Sequence, residues 1–456
     1  MKKLVLSICA ACAAMLGFAQ TPAPTTVKHP EWSRNAVIYE VNTRQFTPEG
    51  TFKAMQAHLP RLKELGVDIL WMMPIHPISQ DGRKGGLGSY YAVADYKGTN
   101  PEFGSIDDFR DLVKEAHRLG MKVIIDWVPN HSGRDNAWVK NHPDWYARND
   151  KGEMFGPYDW TDVYKFDYSN PAMRAAMTDA MAYWLREADI DGFRCDVAGQ
   201  VPVSYWNECR PALEKVKPGI FMLAEATEPE LLEHAFDMDY NWPMKDLFSA
   251  ISATSGQYTF KGADGKVRTF PEAHATDIFS QLDKEAATYP ADSYLMNMIT
   301  NHDLNSWEGT EFERLGDLQA AFAVLTYTLP GMPLIYTGQE VGLDRAFEFF
   351  VKDEQPAWNA KPEITEFYKT LNTLRHSRPE LACGNKGAAV EKIATASPDV
   401  IAFRRGGVLT IANLGSKEEK LFKKAPKLNG AKELFTGATA LPKTLPAGGY
   451  LIFVNE

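Results

Sequence analysis

From residue 36 to about residue 340 the chain alternates between short apolar runs and longer amphipathic ones. "AVIYEV" (36–41), "VDILWMMP" (67–74), "MKVIIDWVP" (121–129) and "IDGFRCD" (190–196) read as strands. So do "GIFMLAE" (219–225), "AFDMDY" (235–240), "SYLMNMIT" (293–300) and "GMPLIYTG" (331–338). Segments between them, such as 52–66, 105–120 and 173–188, read as helices. In 105–120, Phe109, Leu112, Val113 and Ala116 share one face, and Ser105 with Asp108 supplies a start signal. Strands joined through helices pair in parallel and are covered on both faces. Eight such units predict an α/β fold, a closed (β/α)8 barrel. A doubly wound open sheet is the alternative, but no glycine-rich phosphate loop follows the first strand.

The 456 residues exceed one ordinary core, so a second, smaller domain is expected. After residue 380 helical periodicity stops. "VIAFRRGGVLTIANL" reads as two strands around a Gly-Gly turn and "GGYLIFVNE" as another, giving an antiparallel β domain over 381–456. The barrel then occupies 35–380. It includes a long connection at 131–170, rich in Trp, Tyr, Asp, Asn and Gly, expected as a small excursion over the barrel mouth. At the N-terminus, Lys2 and Lys3, an apolar run and small residues at Gly17 and Ala19 read as a secretory signal (1–19) followed by a linker (20–34). The expectation is export to a periplasmic or extracellular space, with lipid attachment at Cys9 or Cys12 as the alternative. No later segment is long and apolar enough to span a membrane. Three cysteines follow the signal: Cys195, Cys209 and Cys383. They read as buried thiols, with a Cys195–Cys209 bridge left open, and they suggest no zinc site. A formal charge of -10 and a pI near 5.6 argue against nucleic acid or an anionic membrane as partner. Oligomeric state is not legible.

In a barrel of this kind, functional residues gather at the C-terminal strand ends. The third candidate strand ends on Asp126, Asn130 and His131, the fourth on Arg194 and Asp196, the fifth on Glu225, and the seventh on Asn301, His302 and Asp303. One carboxylate in such a place is usually a cap or loop ligand. Several at the same barrel end would cost stability without a purpose. Arg194 and Asp196, two apart in a strand, share a face. Together these groups suit retaining glycoside hydrolysis, which needs a carboxylate nucleophile and a carboxylic acid beside the leaving oxygen. An adjacent arginine would keep the nucleophile ionised, and the acid should carry a raised pKa. "SYY" (89–91), Trp127 and the aromatic excursion offer faces for sugar rings.

At this point the chain resembles the α-amylase family of glycoside hydrolases, over residues 35 to about 450. Four short signature regions appear in order as "DWVPNH", "GFRCDVAGQ", "FMLAEAT" and "ITNHD". The resemblance implies Asp196 as nucleophile, Glu225 as acid/base and Asp303 as the third carboxylate. It implies Arg194 as the nucleophile's partner, His131 and His302 as sugar contacts, and Tyr91 in "GLGSYYAVADY" as a stacking tyrosine. "LPGMPLIYTGQE" (329–340) resembles the family's eighth-strand segment. The implied activity is hydrolysis of α-1,4-glucosidic bonds of starch or maltooligosaccharides. The alternatives are an exo-acting α-glucosidase, a cyclomaltodextrin- or pullulan-degrading enzyme, a transglycosylase, or a non-catalytic sugar-binding relative. Asp126 is expected to be structural, beside Arg194. Many calcium-dependent members carry Lys-His where this chain has Gly199 and Gln200. No cofactor is therefore expected to be required, with a structural calcium as the alternative and Asn130 as its candidate ligand.

Overall fold

The computed structural model describes residues 25–261 and 267–455. The expected signal segment, with Ala19, Cys9 and Cys12, lies outside them. Eight parallel strands close a barrel: β1 (Ile38–Val41), β2 (Ile69–Met72), β3 (Lys122–Trp127), β4 (Gly192–Cys195), β5 (Phe221–Ala224), β6 (Met238–Tyr240), β7 (Tyr294–Asn297) and β8 (Met332–Tyr336). Each strand pairs with its neighbours in sequence, and β1 pairs with β8 to complete the ring.

Strand alternation divides the core into two layers. Ile38, Ile69, Trp71, Ile124, Leu223 and Tyr240 fill the barrel interior. Tyr39, Leu70, Met72, Ile125, Phe193 and Cys195 pack outward against the helices. The parity places Arg194 inward, directly beside Asp126 in register. Cys195 and Cys209 are buried free thiols, so the alternative of a bridge between them is excluded.

The helix expected over 52–66 is two helices, Phe52–Gln56 and Leu59–Leu65. Pro60 sits in the first turn of the second, where its missing N–H costs nothing; inside one continuous helix it would break the ladder. Helix Ile106–Arg118 begins with a capping box formed by Ser105 and Asp108. Residues 25–34 pack on the barrel: Thr26 N–H donates to Glu233 O, and buried His29 meets Asp237 at 2.8 Å. In the 131–170 region, His131–Gly133 pairs antiparallel with Val163–Lys165. A separate antiparallel sheet includes β9 (Val400–Arg405), β10 (Val408–Asn413) and β11 (Tyr450–Val454) around its own apolar cluster. It is tied to the barrel by buried Arg405, whose guanidinium donates to Thr328 O and Leu329 O.

Gly192, which opens β4, has φ +150, and a Cβ there would stand 1.8 Å from the Phe221 carbonyl oxygen of β5. Gly192→Ala therefore forces β4 and β5 apart. A loss of about 3 kcal/mol is expected in denaturant unfolding, through strain and overpacking.

Candidate active site

One guanidinium organises the barrel mouth. Arg194 is fully buried, and its Nη1 donates to Asp126 Oδ1 at 2.9 Å and to Asp196 Oδ1 at 3.0 Å. Its Nη2 lies 2.8 Å from Glu225 Oε2, and its Nε donates to the Tyr240 hydroxyl at 3.1 Å. Trp71 faces the guanidinium at 5.1 Å and donates its indole N–H to Asp126 Oδ2. Asp196 and Glu225 each stand one residue beyond their strand, with N–H groups continuing the ladder to Trp127 O and Cys195 O. Val197 then turns left-handed (φ +47), a rare conformation for a β-branched residue, and its N–H donates to Glu225 Oε2 at 2.8 Å.

A second chain of contacts crosses the floor. His302 Nδ1 meets Glu40 Oε1 at 2.5 Å, and its Nε2 meets the Tyr91 hydroxyl at 2.7 Å. Tyr91 in turn donates to Asp126 Oδ2 at 3.1 Å. Asp303 Oδ2 lies 3.5 Å from His302 Nε2. Solvent exposure of the side chains rises from 0% at Arg194 through 9% at Asp196 and 17% at Glu225 to 38% at Asp303. The carboxylates thus line a descent toward a buried cation.

Above them is a cavity of about 430 Å³ lined by Tyr91, His131, Asp196, Glu225, His302 and Asp303. Its volume falls in the range of small-molecule sites. Aromatic side chains Trp160, Trp307, Phe349 and Phe350 complete its walls. The site thus combines buried carboxylates, a fixed guanidinium and apolar ring faces.

The sequence profile of the α-amylase catalytic domain matches residues 18–377. The chain belongs to the α-amylase family. It is 29% identical over 417 residues to neopullulanase 2 of Thermoactinomyces vulgaris, covering 78% of this chain and 65% of that one. It is 28% identical over 370 residues to α-amylase MalA of Haloarcula japonica, covering 77% and 50%. The chain therefore matches half to two thirds of the length of these curated relatives. Among solved structures, an α-amylase from Lactobacillus plantarum superposes with a TM-score of 0.77 at 27% identity, covering 93% of this chain and 100% of that one.

The site brings together every residue that the resemblance to the α-amylase family singled out around the pocket: Tyr91, His131, Arg194, Asp196, Glu225, His302 and Asp303. Asp126 is fully buried against Arg194 and Trp71, away from the cavity lining. Asn130 is also buried. Its side-chain amide nitrogen lies 3.4 Å from His131 Nδ1, and its backbone carbonyl accepts from Phe166 N–H. Sequence reasoning passed over Glu40, Lys84, Asp162, Trp307, Phe349 and Phe350. Glu40 carried the same signal as Arg194, a charge in an apolar strand. Lys84, Asp162, Phe349 and Phe350 belong to loops and Trp307 to a short π-helical segment (Leu304–Glu308), whose positions no periodicity reports.

The surroundings shift the two carboxyls in opposite directions. Burial pushes Asp196 well above the usual carboxylate range, reinforced by Glu225 beside it and opposed by Arg194. Burial also acts on Glu225, but Arg194 and the Val197 N–H outweigh it and hold Glu225 below its ordinary value. The reason is geometric: the guanidinium reaches both carboxyls, while the N–H reaches only Glu225. Both carboxyls thus lean on one guanidinium and titrate as a pair rather than one by one. Burial lowers His131 to about 3, keeping it neutral.

For His302, burial favours the neutral ring, but Asp303 and Glu40 prevail and raise it to about 9 from 6.5. A histidine raised on folding stabilises fully below its unfolded value and loses that contribution as pH rises through the folded one. The wild-type melting temperature is therefore expected to fall between pH 6.5 and 9. A His302→Gln variant should show a flatter profile over the same window.

Proposed function

We propose that this protein is a retaining α-glucan hydrolase that cleaves α-1,4-glucosidic bonds of starch or maltooligosaccharides through a covalent glycosyl-enzyme. The observation that carries the reading is the convergence of Asp196 and Glu225 on one buried guanidinium at the base of the pocket. Two carboxyls held by adjacent nitrogens of one guanidinium suit the short separation of retaining enzymes, about 5–5.5 Å, rather than the wider gap that admits a water between them.

A glycosidic oxygen bound at Glu225 displaces that carboxyl from the Val197 N–H, and in its buried place the carboxyl then takes a proton from solvent. Arg194 holds Asp196 as the anion. Asp196 attacks the anomeric carbon while Glu225 gives its proton to the departing oxygen. The bond to the leaving group breaks as the ester to Asp196 forms. Glu225, now a carboxylate, then takes a proton from the water that cleaves the ester. Asp303 and the imidazolium of His302 hold the reacting sugar, and Tyr91 supplies a ring face beside it. Glu225→Gln should lower kcat/KM on maltoheptaose about a thousandfold. An undiminished rate would refute the assignment of Glu225, and a wild type that releases no sugar would refute the hydrolase.

A second reading within the same chemistry is degradation of cyclomaltodextrins or pullulan, supported by the similarity to an enzyme named neopullulanase. The non-catalytic alternative is disfavoured because all three carboxylates are present at the cavity.

We also propose that no calcium is required. Calcium takes six to eight oxygens, carboxylates foremost. Among the described residues, no group of three or more His, Cys, Asp or Glu side chains could hold a metal ion. Beside Gly199, the space a Cβ would occupy lies 2.5 Å from Glu228 Oε2. Dialysis against a chelator should leave activity and melting temperature unchanged. Export to a periplasmic or extracellular space is the proposed location, supported by Lys2, Lys3 and the apolar run before Ala19.

A further inference from the structure

The loop over residues 80–90, which follows β2, is fastened at both of its flanks. On one side Leu87 N–H donates to Phe350 O at 2.8 Å, in the loop after β8. Arg44, after β1, donates to Leu87 O, Gly88 O and Phe349 O, so one guanidinium stitches the loops after β1, β2 and β8. Gly85 lies so close to Phe350 that a Cβ would stand 2.4 Å from its side chain. On the other side Lys84 Nζ pairs with buried Asp162 Oδ1 of the excursion at 3.2 Å, and Gln80 N–H donates to Asp135 Oδ2 at 2.7 Å. Lys84, Asp162, Trp160 and Phe350 all line the catalytic cavity. The loop is thus a continuous wall from the excursion to the loop after β8.

Barrel order shows which end of a substrate this wall meets. In a ring of eight, β5 lies opposite β1, with β2 and β8 flanking β1. Glu225 follows β5 and serves the leaving oxygen, so the departing, reducing-side portion extends toward the loops after β4 and β5. There Gln200, Thr227 and Glu228 are exposed. The glycone that Asp196 retains points the other way, into the wall.

Resting on the hydrolase reading above, we infer that the 80–90 wall, latched by Lys84–Asp162, makes the glycone side a blind pocket. The enzyme then takes α-glucan chains by their non-reducing ends and releases glucose or maltose. It does not cut within chains. A groove open at both ends would accept the middle of a chain; a wall across the glycone side admits only a terminus.

The test compares p-nitrophenyl α-maltoheptaoside with the same compound capped by a 4,6-ethylidene group at the non-reducing end, following all products by chromatography with mass detection. Wild type should consume the uncapped substrate at least tenfold faster, with glucose or maltose as the first product. Lys84→Ala and Asp162→Asn should each raise the capped-to-uncapped rate ratio severalfold. Equal consumption of both substrates by wild type, with mid-chain fragments appearing first, would overturn the blind pocket while leaving the hydrolase intact. An unchanged ratio in both variants would overturn the latch. Consumption of neither substrate would overturn the hydrolase reading itself, and this inference with it.

Discussion

A guanidinium removed from water must be matched by carboxylates or it destabilises the fold by several kcal/mol. Arg194 is such a group, and its requirement reaches most of the barrel mouth. Register alone brings Asp126 beside it, and the ends of β4 and β5 bring Asp196 and Glu225. Three carboxylates around one cation leave excess negative charge in a buried place. Burial, with that excess beside it, raises Asp196 above the usual carboxylate range. The charge balance that stabilises the barrel thereby also sets how the carboxyls at the cavity titrate.

The same economy holds at His302. Its ring lies between Glu40 from β1 and Tyr91 from the loop after β2, and Tyr91 closes the circuit to Asp126. Five residues from separate elements thus share one hydrogen-bonded chain ending on Arg194. A network of this sort fixes side chains within narrow limits, as a site complementary to a short-lived transition state demands. Around it, the loops vary the outcome: the floor sets the reaction, and the wall built by residues 80–90 sets which part of a chain can reach it.

The alternation of apolar runs and amphipathic segments made the eight strands legible, because a strand covered on both faces must be apolar and short. Polar residues at the strand ends were legible for the opposite reason: Arg194 or Asp303 beside such runs breaks the pattern. Glu40 was readable by the same rule. The break at Pro60 shows the limit of periodicity, since the apolar spacing of 52–66 runs through a backbone that cannot be one helix. Phe349 and Phe350 reach the cavity through a loop whose path depends on Arg44 and Leu87, far away in sequence.

By itself the sequence determined the barrel, its smaller β partner and the set of charged groups at one barrel end. Those follow from local periodicity and from the cost of burying unpaired charge, both of which are written residue by residue. Tertiary structure decided that Asp196 and Glu225 are shifted in opposite directions. That depends on which carboxyl receives the Val197 N–H in addition to the guanidinium. It also decided that loop 80–90 stands across the barrel from Glu225, a relation fixed by closure of the ring and by contacts between residues distant along the chain.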